Sequence, residues 1–169
     1  MTIANFDMKR ALQSIRRHCT RVHYRNIGLK SFFLFCSILT MSACTPDCPN
    51  KASDLGPLVT AFDFKRQFPS DPYTAVFGFQ FQSQNNGMAG GTAEFYVGDS
   101  QTPVKVKMSE LMSASGLNKA SRAGEVGAAL RFSRDNLSDG QLVDMRLQLL
   151  DDTGQRSNCA RVSLLFKFP

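Results

Sequence analysis

Tyr73-Thr-Ala-Val-Phe-Gly-Phe-Gln-Phe-Gln82 decides the fold of this chain. Tyr73, Ala75, Phe77, Phe79 and Phe81 fall on one face of a period-two pattern, and Thr74, Gly78, Gln80 and Gln82 on the other. Successive side chains of a strand point to opposite faces, so this alternation predicts a half-buried β-strand whose aromatic stripe lies in a core. The same period recurs on both sides of it. Upstream, Leu58, Phe62 and Phe64 share a face with Thr60 while Asp63 and Lys65 point away, and Pro69-Ser-Asp-Pro72 separates the two runs. Downstream, Ala93, Phe95 and Val97 alternate with Thr92, Glu94 and Tyr96. Val104, Val106 and Met108 then face away from Lys105 and Lys107, lysines that mark an edge strand and discourage sheet-to-sheet pairing. Val126, Ala128, Leu130 and Phe132 form a fifth apolar set, Val143, Met145, Leu147 and Leu149 a sixth, and Ala160, Val162, Leu164, Phe166 and Phe168 a last.

The connections are turn-rich: Gln84 to Gly91, Gly98-Asp-Ser100, Asp135 to Gly140, and Asp151-Asp-Thr-Gly154, which reads as a tight hairpin. Residues 109–124 break the β pattern. There Ser109 is expected to cap a turn of helix through Met112 that Gly116 ends, in a segment that either crosses between two sheets or serves as a binding loop. About seven strands with little helix predict an all-β fold, a single β-sandwich.

The stretch before the strands decides where the domain resides. Lys30 closes a basic segment, residues 32–41 are almost wholly apolar, and Ser42 and Ala43 lead into Cys44. A bilayer-spanning helix needs roughly 20 apolar residues, whereas this run is about half that, the length of a signal-peptide core. Met41-Ser-Ala-Cys44 resembles the lipobox of bacterial lipoproteins, with Met where Leu is usual. The resemblance implies cleavage between Ala43 and Cys44 and an acyl anchor, palmitate among its chains, on Cys44. Ordinary secretion and an uncleaved anchor are the alternatives. Thr45, in place of the Asp that retains such proteins in the inner membrane, implies the outer membrane of the cell envelope. The chain then divides into a signal peptide (1–43), a tether rich in Pro, Asp, Ser and Gly (44–56) and the sandwich domain (57–169).

Cleavage changes what composition means. The net charge of +6 is carried by residues 1–43, which hold seven basic residues and one acid; the remainder has 13 of each sign. No nucleic-acid footprint survives in the mature part. His18 and His23 also leave with the signal peptide, so the mature part lacks the commonest general base and nitrogen ligand. No catalytic constellation and no metal-ligand spacing is legible, so the chain reads as a non-enzyme without a cofactor. Acidic turns at Asp135, Asp139, Asp151 and Asp152 are the sole calcium candidates and read as turn chemistry. Of five cysteines, Cys48 and Cys159 remain beside Cys44; in an oxidising envelope they are expected to form one disulfide, two free thiols being the alternative.

Leu137-Ser-Asp-Gly140 followed by Val143, Met145, Leu147 and Leu149, the turn at Asp151 to Gly154, and Ser157 resembles the end of a fibronectin type III or related immunoglobulin-like domain. Val143 stands where that family carries its corner Tyr, so the resemblance is to the superfold and transfers no functional residue. Together with the anchor it implies a binding or structural module for an envelope protein partner, with 84–91 and 109–124 as the contacting loops. The alternative is a carbohydrate- or peptidoglycan-binding module, for which an outward-pointing Tyr96 is the candidate binding residue.

Overall fold

The structure, a computed structural model, describes residues 3–5, 47–84, 87–133 and 137–168, and of 3–5 the backbone alone; Ala43, Cys44 and Asp135 lie outside them. The elements in chain order are β1 (Ile3–Asn5), β2 (Leu58–Phe68), β3 (Asp71–Gln82), a 3-10 turn (Met88–Gly90), β4 (Thr92–Val97), β5 (Val104–Lys107), α1 (Met108–Ala114), β6 (Ala123–Arg131), β7 (Leu142–Leu150) and β8 (Ala160–Leu165). Strands β6, β3 and β2 form one antiparallel sheet in that order, and β5, β4, β7 and β8 the other. These seven strands are an immunoglobulin-like β-sandwich. β1 adds a fourth strand to the first sheet, parallel along the outer edge of β6 with Ile3 opposite Ala129. No helix among the described residues is long and apolar enough to cross a membrane.

The aromatic stripe of β3 is the centre of the core, with Ala75, Phe77, Phe79 and Phe81 at most 1% exposed. The two sheets meet ring to ring. Phe95 of β4 lies 6.2 Å from Phe62 and 6.1 Å from Phe79, and Phe132 meets Phe166 at 4.9 Å. Offset and edge-on pairs at such separations add to the area they remove from water, and they leave no room for a ligand between the sheets at these points.

Two sequence expectations give way to backbone detail. Leu58 was expected to face the core with Phe62, yet it is 47% exposed and Val59 is buried in its place. The register against β3 slips between Val59, opposite Phe81, and Ala61, opposite Gln80, so Thr60 is an extra residue in a β-bulge and parity inverts upstream of it. Ser109 does not cap α1, which begins at Met108 directly out of β5 with Lys107 at the cap position and no side-chain cap. The Met108 amide is instead satisfied by the Gly91 carbonyl at 3.0 Å, and its side chain is fully buried. Gly116 ends the helix as expected, with φ +73° and the Leu117 amide donating to Met112 O at 2.8 Å. The segment that follows carries the chain from the β5–β4–β7–β8 sheet to β6 in the other.

Candidate functional site

Alternation along β4 and β7 turns Glu94, Tyr96, Arg146 and Gln148 to the outside of the β5–β4–β7–β8 sheet, with Glu94 opposite Gln148 and Tyr96 opposite Arg146. Such a face normally meets water. Here all four side chains are buried, at 3% exposure or less. Their cover is the stretch that reads in sequence as a tether. Asp47 O accepts from the Arg146 guanidinium at 2.5 Å, Asn50 O from Gln148 Nε2 at 2.9 Å, and Ser53 N donates to Arg156 O at 2.9 Å. The segment therefore runs along β7 in the strand's own direction, and it is fastened by the Cys48–Cys159 disulfide and by an Asp47–Arg161 ion pair. Both cysteines expected to pair do so, with the bond on the outside of the sheet.

Arg146 is the knot of this face. Besides Asp47 O it donates to Gly98 O at 2.8 Å and Ser100 O at 2.7 Å, tying the covering segment to the β4–β5 turn, and it lies over the Tyr96 ring at 5.4 Å. Glu94 is the second charge. Its carboxylate accepts from Tyr96 OH at 2.9 Å and Arg156 at 2.6 Å, and pairs with Lys105 at 3.0 Å. Lys105, read in sequence as an edge-protecting lysine, thus also neutralises a buried acid.

Burial by itself raises the Glu94 pKa, but the hydrogen bonds from Arg156, Lys105 and Tyr96 outweigh it and hold the carboxyl below its ordinary value of 4.5. A depressed folded pKa means stabilisation that is complete above the unfolded value and is lost as the pH falls through the folded one. Glu94→Gln is therefore expected to cost about 2 kcal/mol at neutral pH. It should also flatten the loss of stability below pH 4.5, measured as urea midpoints at a series of acid pH values. For Tyr96, burial and then the Glu94 hydrogen bond and charge push the phenol up to about 12, so it stays neutral and donating.

Tyr96 is accordingly not a binding platform. At 1% exposure its ring is packed beneath Arg146 and the 47–53 segment, and a sugar has no face to stack on. The calcium candidates among the described residues do not converge either. Asp151 Oδ1 is used by Thr153 N at 2.9 Å, Thr153 Oγ1 at 2.8 Å and Gln155 N at 2.8 Å, while Asp139, before the other end of β7, accepts from Phe168 N at 2.9 Å. Among the described residues no three His, Cys, Asp or Glu side chains are placed to share a metal ion.

With this face covered, the loops and grooves of the domain lie at its two ends, and the outer face of β2, β3 and β6 meets solvent through Asp63, Lys65, Gln80 and Glu125. At one, the β3–β4, α1–β6 and β7–β8 connections meet. Ser83 N donates to Arg122 O at 2.6 Å, and a Cβ on Gly87 would stand 2.5 Å from Lys119 O, so only glycine lets these two backbones pass. A Cβ on Gly90 would stand 2.7 Å from the Asp152 Cβ, which brings in the β7–β8 loop. Sequence reading singled out the first two connections and missed the third, whose only signal was a turn motif. Met88, Met108, Leu111 and Met112 plug the core beneath them, each at 2% exposure or less.

At the opposite end, Gly98, Asp99, Asp144, Arg146, Arg161 and Ser163 line a groove of about 90 Å³. That is well short of the several hundred Å³ in which a small organic ligand is usually enclosed. Beyond it, Leu142 and Leu165 sit directly opposite each other across β7 and β8, 64% and 45% exposed.

No family model matches the chain, and no curated protein sequence does. Among solved structures, a Niemann-Pick type C2 protein from Japanese carpenter ant is similar over 70% of this chain and 96% of its own, at 9% identity and a TM-score of 0.44.

Proposed function

We propose that this chain is a lipoprotein of the cell envelope, anchored through Cys44 to the outer membrane, whose immunoglobulin-like domain binds a protein partner and does no chemistry. One observation carries the reading: from Asp47, three residues after Cys44 in the sequence, the chain is bound along β7 towards the end where three connections meet. Three residues span at most about 10 Å. A lipid on Cys44 therefore holds the domain close to the bilayer, with the loops of residues 83–91, 108–122 and 151–159 at the far end. Loops clustered at one end of a sandwich are the usual place for recognition in this architecture.

Photo-crosslinking in cells tests it, with the reactive side chain placed in turn at Lys119, at Thr153 and, as a control on a sheet face, at Thr60. The expected result is one protein adduct shared by Lys119 and Thr153 and absent from Thr60. Adducts of equal yield and identity from all three sites, or none from the two loops, would contradict it.

A further inference from the structure

Among the described residues, Leu142 and Leu165 form the exposed apolar pair on the side of Asp47 away from the loop end. Asp47 is held at the level of Arg146 and Arg161, which face each other across β7 and β8. From there the segment runs to Gln148 and then to Arg156, and Asp144, Ser163, Leu142 and Leu165 lie along β7 and β8 on the other side of that level. Four residues of strand cover about 13 Å, and the three residues from Asp47 back to Cys44 reach about 10 Å. By chain length, an anchor on Cys44 is thus within reach of the end of the domain that carries the leucine pair.

The pair stands on a rigid base. Gly140 N donates to Phe166 O at 2.8 Å and Phe166 N to Gln141 O at 2.9 Å, stitching the turn before β7 to the chain after β8. Exposed neighbours are of mixed sign, Asp139, Asp144 and Lys167, which favours an apolar contact over attraction to charged headgroups. Two leucines alone give little membrane affinity. A leash of three residues changes that, because it holds the pair at high effective concentration next to the bilayer and makes insertion an intramolecular step.

Resting on the lipid anchor proposed above, we infer that Leu142 and Leu165 dock into the bilayer that carries the Cys44 acyl chains, fixing the domain end-on with its loop cluster outward. The occupant is the lipid surface itself, engaged whether or not its headgroups are anionic.

The chain contains no Trp, so Leu142→Trp supplies a single fluorophore, and Leu58→Trp supplies a control that is also exposed but lies towards the loop end. Each full-length variant, extracted from membranes and reconstituted into phosphatidylcholine vesicles with brominated acyl chains, is first weighed intact to establish the lipid on Cys44. The expected result is emission from Leu142→Trp roughly halved relative to unbrominated vesicles, as for a side chain at the headgroup–acyl boundary, with Leu58→Trp unchanged. Lipidated protein with neither variant quenched, or with both quenched alike, overturns the docking while leaving the anchor in place. So does a Leu142→Trp signal shielded from both bromine and aqueous acrylamide, which would mean that protein covers the pair. Unlipidated protein overturns the anchor and the docking together.

Discussion

Cys48→Ser combined with Cys159→Ser is expected to lower the unfolding free energy by about 5 kcal/mol, the chain-entropy value for a crosslink enclosing on the order of a hundred residues. The native bond joins residues 111 apart in sequence. The loss should appear in the urea midpoint without a collapse of the fold, because the Phe62, Phe79, Phe95 core needs no help from the disulfide. A second readout separates global from local effects. Tyr96 is raised to about 12 from an ordinary 10.0 because it is buried, with the Glu94 hydrogen bond adding to the shift. Releasing the 47–53 segment should bring its ionisation back towards the ordinary value while the protein is still folded. An unchanged Tyr96 titration in the double variant would mean that the segment stays in place without its crosslink.

Arg146→Ala should cost about 3–4 kcal/mol, since it leaves the carbonyls of Asp47, Gly98 and Ser100 without their donor in a buried setting. Arg146→Lys is expected to recover only part of that, because an ammonium cannot present the planar fork that reaches three carbonyls while lying over the Tyr96 ring. Both are read from denaturant unfolding, with backbone hydrogen exchange at Ser100 and the β4–β5 turn as the local probe. A loss below about 1 kcal/mol for Arg146→Ala, the scale of a surface substitution, would place the guanidinium outside the structure that binds segment to sheet.

The sandwich was legible because its inner faces follow one simple rule. Phe77, Phe79 and Phe81, or Met145, Leu147 and Leu149, repeat every second residue and need no partner to be recognised. Thr60 was not legible as a bulge, since a bulge is a relation between two strands and leaves no mark on one. The outer face shows the same limit. Parity correctly turned Tyr96, Arg146 and Gln148 away from the core, but exposure does not follow from parity when another part of the chain lies on top. The covering residues 47–53 have no period, and Asp47 and Asn50 bind Arg146 and Gln148 through backbone carbonyls, which every residue possesses. The paired cysteines were the one readable sign that this stretch belongs to the fold. The loop end was half legible: two long glycine-bearing connections stood out, and the β7–β8 loop joined them only once Asp152 was seen beside Gly90.

A domain held a few residues from a lipid is tested most directly by the intact mass of natively expressed, detergent-extracted protein, taken before and after reduction. The predicted mass is that of residues 44–169 plus an acyl anchor, rising by two hydrogens when the Cys48–Cys159 bond opens. A mass near the 18.7 kDa of the whole chain, without lipid, would contradict it. Residues 1–43, with their charge of +6, would then remain attached to the domain.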